Sequence, residues 1–156
     1  MTTLPPPISA ITLLMETSRL FRGEFRRRAA HLQLTQPQVL ALSCLARQPG
    51  LTQSVLADKL EVHPVTVTQL IDRLQKAGWV RRETHENDRR AVRLYLTDEA
   101  DPILAEVWQV AESARRDALR GLSEADQKTF ERLLALVKSN LTSGDAAADV
   151  SEGPRQ

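Results

Sequence analysis

The chain has 156 residues, 42% of them hydrophobic and 26% charged, as expected for one soluble globular domain or one lobe with an oligomerisation arm. Its single cysteine excludes a disulfide framework and a zinc site built on several thiolates. The sequence lacks the run of about 18 apolar residues that a membrane span needs. The first seven residues do not resemble an export signal. We therefore expect a cytoplasmic protein without membrane contact.

The charge is divided unevenly along the chain. Residues 1–47 hold six Arg and two Glu (+4), and residues 48–97 hold eight basic and six acidic side chains (+2). Residues 98–156 hold seven basic and twelve acidic side chains (−5). A basic front and an acidic back indicate one surface that meets a polyanion. Ordinary variation among helix surfaces explains the same numbers equally well.

The start of the chain predicts an arm followed by a long helix. Three consecutive prolines favour an extended arm over residues 1–7. From there, three- and four-residue apolar steps predict a first helix over about residues 8–32. Its predicted apolar face consists of Ile11, Leu14, Met15, Ser18, Phe21 and Phe25.

Two shorter helices follow. Thr35 begins the second helix, because Gln38 completes a capping box and Pro37 falls in the first turn. Pro49-Gly50 ends this helix. Thr52 is placed to cap the third helix. The predicted inner residues are Val39, Leu40, Leu42, Ser43 and Ala46 in the second helix, and Val55, Leu56 and Leu60 in the third.

A fourth helix begins at Pro64 and ends at Gly78, a residue favoured just after a helix C-terminus. Its inner face is predicted to consist of Val67, Leu70, Ile71 and Leu74. The outer face carries Val65, Thr68, Gln69 and Asp72.

After Gly78 the period changes from 3.6 to 2, which predicts a β-hairpin with a polar turn over residues 86–89. A fifth helix is expected from Asp101-Pro102, because a proline inside a helix begun at Thr97 would break it. Its predicted stripe consists of Ile103, Leu104, Val107, Ala111, Ala114 and Ala118. Ser123 begins a sixth helix. Its predicted face consists of Phe130, Leu133, Leu134, Val137 and Leu141.

The order of elements predicts a mainly α fold with a small β-hairpin, in which a winged helix-turn-helix lobe spans residues 35–97. Residues 8–34 and 98–141 form a helical dimerisation region, because their apolar stripes cannot be buried within the lobe. A disordered tail is expected over residues 142–156, where there is almost nothing to bury.

The fourth helix and the hairpin both favour double-stranded DNA as the partner. Thr66, Thr68 and Gln69 are short polar groups on the outer side of the helix, where a merely solvated face more often carries Glu and Lys. The hairpin region carries a cluster of arginines, namely Arg81, Arg82, Arg89, Arg90 and Arg93. Arginine near a β-turn can enter a narrow minor groove. The alternative is that these charges keep an exposed strand edge soluble.

Asp88 beside Arg89 and Arg90 either braces the loop through an ion pair or simply favours the turn.

With these residues in place, the chain resembles the MarR family of bacterial transcription regulators over roughly residues 8–141. The most specific residues of the resemblance are Asp88-Arg89-Arg90-Ala91 followed by Leu94-Tyr95-Leu96-Thr97. Further matches are Leu34-Thr35-Gln36-Pro37-Gln38, Val65 to Leu74, and Lys76-Ala77-Gly78-Trp79-Val80-Arg81-Arg82.

The resemblance implies a homodimer with interleaved first, fifth and sixth helices, bound to a pseudo-palindromic operator and usually repressing. It implies major-groove contacts by Pro64, Val65, Thr68 and Gln69, to which the pattern of the helix adds Thr66. It further implies that Arg90 reaches the minor groove and that Asp88 braces the wing. The arginine pattern of the hairpin adds Arg89 and Arg82 as further wing contacts. Small phenolic or aromatic anions release many such proteins from DNA. Here Ala100 replaces a glycine that is common in the family.

The effector site is less clearly marked. His31 and Trp108 are candidates to line a pocket near the dimerisation helices, although a structural histidine and a core tryptophan are the simpler interpretations. Arg26-Arg27-Arg28 contacts phosphate or an acidic effector, or is a solvated face. Cys44 has apolar neighbours, which favours inert packing over a redox role.

No catalytic motif appears, the three histidines are scattered, and we expect neither an enzyme nor a metal or other cofactor. The sequence thus favours a DNA-binding transcriptional regulator tuned by a small molecule. The alternative is a winged-helix module for protein interaction or DNA architecture, without specific operators.

Overall fold

The structure is a computed structural model that describes residues 8–85 and 88–148; the expected arm over residues 1–7 lies outside them. The chain divides into two compact units, Met1–Arg115 and Arg116–Gln156. Its helices are α1 (Ala10–Arg28), α2 (Gln36–Arg47), α3 (Gln53–Leu60), α4 (Pro64–Lys76), α5 (Asp101–Ala118) and α6 (Glu124–Ala148). Its strands are β1 (Leu51–Thr52), β2 (Val80–His85) and β3 (Asp88–Leu96). The predicted mainly α fold with a small sheet is confirmed.

Ser9 caps helix α1, and its hydroxyl accepts a hydrogen bond from the Thr12 backbone N–H at 3.1 Å. The helix continues into a 3-10 helix at Ala29–Leu32, so the predicted extent is confirmed except that the last turn is tighter. None of the residues of Ala10–Arg28 is buried within the chain.

Helix α2 has the predicted capping box between Thr35 and Gln38. Its predicted inner face is partly wrong: Leu40 and Ala46 are exposed and Ser43 is half-buried. The buried residues are Val39, Ala41, Leu42 and Leu45. Residues 39–42 are all apolar and therefore cover more than one face, so periodicity alone does not select the side that packs on the core.

Helices α3 and α4 form the predicted pair. The Thr52 hydroxyl caps α3 as expected, but Val55 is exposed, because Leu56 and Ala57 set the buried face of this short helix. In α4 all four predicted inner residues are buried. Gly78, at φ +82°, follows the helix, and the hydrogen bond from Trp79 N–H to Leu74 C=O completes a Schellman turn.

The sheet has three antiparallel strands in the order β1-β3-β2, one more than the predicted hairpin. Strand β1 pairs Leu51 with Leu94. Because these residues are far apart in the chain, the local periodicity of the sequence does not predict this strand. The predicted turn over residues 86–89 is too long. His85 already pairs with Asp88, because β3 begins two residues earlier than the polar composition suggests.

The core of the first unit lies between α2, α3, α4, the sheet and the start of α5. Its largest fully buried side chains include Leu42, Leu45, Leu56, Val67, Ile71, Leu74, Val80 and Leu94. Helix α5 begins at Asp101 as predicted, after a 3-10 turn at Asp98–Ala100. The buried residues of α5 are Leu104, Val107, Val110 and Ala114, whereas the predicted Ile103 and Ala111 are half-buried and the predicted Ala118 is exposed.

In the second unit, Ser123 begins α6 as predicted, and its hydroxyl accepts from the Asp126 N–H at 3.2 Å. The helix continues to Ala148, so the expectation of disorder is wrong for residues 142–148. Alanine at residues 146–148 has the highest helix propensity, and the Thr142 hydroxyl donates to the carbonyl of Lys138 within the helix. Residues 149–156 lie outside the described part. No described helix has the length and apolar character needed to cross a membrane.

Candidate nucleic-acid interface

Helix α4 presents the predicted major-groove residues on its exposed side. The ring nitrogen Nδ1 of His63 caps the helix by accepting from the Val65 N–H at 3.4 Å. All five predicted residues are exposed, namely Pro64, Val65, Thr66, Thr68 and Gln69. Since the opposite face is buried in the core, this row of small, uncharged side chains has a fixed orientation on the surface.

The wing is the antiparallel hairpin of β2 and β3, paired from Val80–Leu96 to His85–Asp88. The backbone of Asp88, Arg89 and Arg90 belongs to β3. Their side chains, and the bracing role predicted for Asp88, lie outside the described residues.

Arg82 does not project freely from the wing. Its guanidinium donates to Asp72 Oδ1 at 2.6 Å and to Gln75 on α4, and only 25% of its side chain is exposed. Arg82 is therefore anchored to α4 in this structure, and its contact with DNA stays a prediction. Asp72, ten residues away in the chain, lies on the outer face of α4 as predicted.

The other described wing arginines are also bonded within the chain. Arg81 pairs with Glu83 and lies over the Tyr95 ring, 5.1 Å from its centroid. Arg93 donates to the Gly50 carbonyl at 3.0 Å and ties β3 to the turn after α2. At least these three arginines of the hairpin therefore stabilise the wing itself.

Trp108 lines a cavity of about 420 Å³ between α1, α2 and α5. The wall is mainly apolar and aromatic, with two arginines at its edge. The lining residues are Phe21, Arg22, Phe25, Gln36, Val39, Leu40, Ser43, Arg47, Val107, Trp108 and Ala111. Phe21 and Phe25, one turn apart on α1, are the sequence signal for this wall. The misassigned Leu40 and Ser43 also belong to it.

His31 lies in a different, more polar cavity of about 470 Å³, so the expectation that it shares a pocket with Trp108 is wrong. Its Nδ1 is 2.9 Å from the Arg28 carbonyl oxygen, and its Nε2 is 3.8 Å from Glu106. The 3-10 turn at Ala29–Leu32 directs the ring toward α5 rather than toward α2.

Arg28 links α1 to α5 by donating to Ser113 Oγ at 2.7 Å. It also donates to Glu24 Oε1, on α1 itself, at 2.6 Å. The hydrogen bond from Arg28, supported by Arg27, lowers the pKa of Glu24 below its ordinary value. Two of the three consecutive arginines are therefore bonded to α1 itself.

Cys44 is half-buried and packs beside the core, as expected for a packing residue. Among the residues that the structure describes, no three His, Cys, Asp or Glu side chains come together as a metal site would require.

Comparison with known proteins defines the class of this one. Residues 34–92 match the MarR family. The crystal structure of the transcriptional regulator PA3341 is 38% identical, with a TM-score of 0.76 over 86% of this chain and 99% of that one. The crystal structure of MarR is 25% identical, with a TM-score of 0.79 over 94% and 99%.

A MarR family protein of Mycobacterium tuberculosis, Rv2887, solved with salicylic acid, is 25% identical to this chain. Its TM-score is 0.70 over 86% of this chain and 99% of that one. The protein is thus a winged helix-turn-helix transcriptional regulator that acts through DNA binding. The chain belongs to the MarR family.

Proposed function

We propose that the protein is a cytoplasmic, homodimeric repressor that binds a pseudo-palindromic operator and leaves it when a small aromatic acid binds. The observation that carries the proposal is the exposed N-terminal half of α4, residues 64–69, which carries no charged side chain and lies beside the wing. Uncharged hydrogen-bonding groups contribute little to non-specific attraction, so their natural use on DNA is to contact base edges. A dimer bound over a promoter excludes RNA polymerase, which makes repression the expected result.

The dimer is supported by apolar side chains that the chain leaves uncovered. Ile11, Met15 and Leu20 of α1 are 56%, 68% and 62% exposed. In the second unit, Leu136 of α6 is 54% exposed. A second copy that covers such helices gives an interface above about 2,000 Å².

The cavity lined by Trp108 fits a small aromatic acid. Phe21, Phe25 and Trp108 offer apolar contacts to a ring, and Arg22 and Arg47 offer cations to a carboxylate. The salicylic acid bound by the Mycobacterium tuberculosis relative has this chemistry. A ligand acts here only by binding one arrangement of α1, α2 and α5 more tightly than another.

Selection from a randomised pool of duplexes, followed by fluorescence anisotropy, tests sequence-specific binding. The selected duplex is expected to bind at least about a thousandfold more tightly than a random duplex at the same salt concentration. Equal binding to both favours the architectural module, and binding to neither favours the protein-interaction module.

The wing has a separate test. Arg90→Ala should weaken binding by about 1–3 kcal/mol on every related duplex, because this arginine is proposed to recognise the shape of the minor groove and not a particular base. The affinity should also depend less steeply on salt concentration. An unchanged affinity at several salt concentrations would contradict this role.

Salicylate is the probe for release. It should dissociate the selected duplex from the protein, and Trp108→Ala should raise the concentration for half-release roughly tenfold through lost ring contacts. The matched control is His31→Ala, which changes the other cavity and should leave the titration unchanged. Equal effects of the two variants would contradict the assignment of the cavity. Transcription from a promoter carrying the selected sequence, with and without the protein, tests repression.

A further inference from the structure

A chain of hydrogen bonds joins the wing to the exposed face of α4 through α3. Arg82 on β2 is anchored by Asp72 and Gln75, as described above. The same guanidinium also faces the side-chain amide of Gln53, the first residue of α3. Because Arg82 has three partners, its position is fixed relative to both helices.

The guanidinium determines which way the Gln53 amide points. Arginine has only donors, so the amide oxygen, not the NH₂ group, must face it. In that orientation the oxygen accepts from Arg82 Nε and Nη2 at 3.1 Å each. The amide NH₂ group then occupies the position 3.3 Å from Thr68 Oγ1 and donates to that hydroxyl.

The Thr68 hydroxyl is thereby restricted. It donates its proton to the Pro64 carbonyl oxygen at 3.2 Å, and it accepts from Gln53. A hydroxyl has one proton and two lone pairs. The capacity that remains is one lone pair, beside the Thr68 methyl group.

We propose that Arg82 and Gln53 are positioning residues that make Thr68 an acceptor-only contact in the major groove, and so determine which bases it selects. The adenine N6 and cytosine N4 amino groups are donors there, whereas guanine and thymine present acceptor oxygens. Thr68 therefore favours adenine or cytosine at the position that it contacts. This inference rests on the proposed DNA-reading function of α4.

The experiment starts from the duplex that the wild-type protein selects. Every base pair of one half-site is replaced in turn, and each duplex is titrated by anisotropy at one salt concentration. Thr68→Val identifies the contacted base pair as the one at which discrimination is lost. Gln53→Met should reduce discrimination at that base pair roughly tenfold and leave the other positions and random DNA unchanged.

Two further variants separate orientation from charge. Arg82→Met should lose the same discrimination and also bind all duplexes more weakly, because a cation is removed. The matched control is Arg81→Met on the same strand, which removes an equal charge without touching Gln53 and should weaken all duplexes alike. Gln53→Glu, which keeps the acceptors for Arg82 but removes the NH₂ donor, serves if Gln53→Met does not fold.

The double variant provides the last check. Adding Gln53→Met to Thr68→Val should change nothing further at the contacted base pair, since both residues act through one hydroxyl. If Gln53→Met and Gln53→Glu reduce the affinity for every substituted duplex equally, or for none of them, the positioning role of Gln53 is wrong. The proposed function would then still stand. If the wild-type protein selects no sequence, both fail.

Discussion

Helices α4 and α1 belong to the same compact unit but differ in how their apolar residues are covered. Helix α4 buries Val67, Leu70, Ile71 and Leu74 against the chain's own core and exposes a polar side. Helix α1 buries none of its residues, although it carries exposed side chains as large as Met15 and Leu20. The fold of α4 is therefore complete within one chain, whereas the covering of α1 is left to a second copy.

The largest effect that follows concerns assembly. Met15→Asp places a charge where we propose that the partner covers α1, and should raise the dissociation constant of the dimer roughly a hundredfold or more. Sedimentation equilibrium measures this constant. Thr17→Asp adds the same charge to an exposed polar position of the same helix and is the control. A similar shift in both variants would show that charge in general, not the proposed contact, weakens the dimer.

The core against which α4 packs and helix α1 should also differ in their response when a glycine is replaced by alanine. Gly50 has φ +82°, and an added Cβ would lie 2.9 Å from the Tyr95 hydroxyl, so Gly50→Ala should lower the free energy of unfolding by about 1–3 kcal/mol. Gly23 lies in α1, where an added Cβ would meet no heavy atom within 4 Å apart from the backbone of the helix itself. Gly23→Ala should raise stability by about 0.5–1 kcal/mol, because alanine favours the helix. Urea unfolding of both variants measures the two changes. Loss of stability in Gly23→Ala would show that the partner copy packs against α1 at Gly23 itself.

The exposed side of α4 should tolerate change in the fold but not in DNA selection. Gln69→Ala is expected to cost about 1–3 kcal/mol on the selected duplex and almost nothing on random DNA, because a base-edge hydrogen bond is lost. Paired anisotropy titrations at one salt concentration measure both affinities. An equal loss on the two duplexes would make Gln69 a backbone contact, and no loss on either would make it a bystander.

The smallest effect concerns Glu24. Its folded-state pKa is lowered, chiefly by the hydrogen bond from Arg28, so its contribution to stability is present above the unfolded-state pKa and is lost as pH falls through the folded-state pKa. Glu24→Gln should thus be slightly less stable than the parent at pH 7, and the two should converge in acid. Thermal unfolding across pH 3–7 shows this, and a difference that persists at the lowest pH would point to lost packing instead.

The same two regions show what a sequence can predict. The inner face of α4 follows from one clean 3.6-residue period, and its N-terminus follows from Pro64. The outer face of that helix is then the remaining side, so the exposed residues of the candidate site could also be predicted. In α2 the run of apolar residues covers two faces of the helix. Which of these faces is buried depends on the elements that pack against the helix.

What the sequence does not show are contacts between distant residues. Strand β1 is only two residues long and exists because Leu51 pairs with Leu94. The bonds of Arg82 to Asp72 and Gln53 cross three elements, so the residue type predicts a cation but not its partners. The separation of His31 from Trp108 likewise depends on how α1 ends and on how it faces α5.

Sedimentation of the wild-type protein, alone and with the selected duplex, tests most directly the claim that a second copy completes this fold. We predict a particle of two 17.4 kDa chains at micromolar concentration, and two chains on each pseudo-palindromic duplex. A folded monomer that binds the selected duplex as one chain, with full affinity, would contradict it.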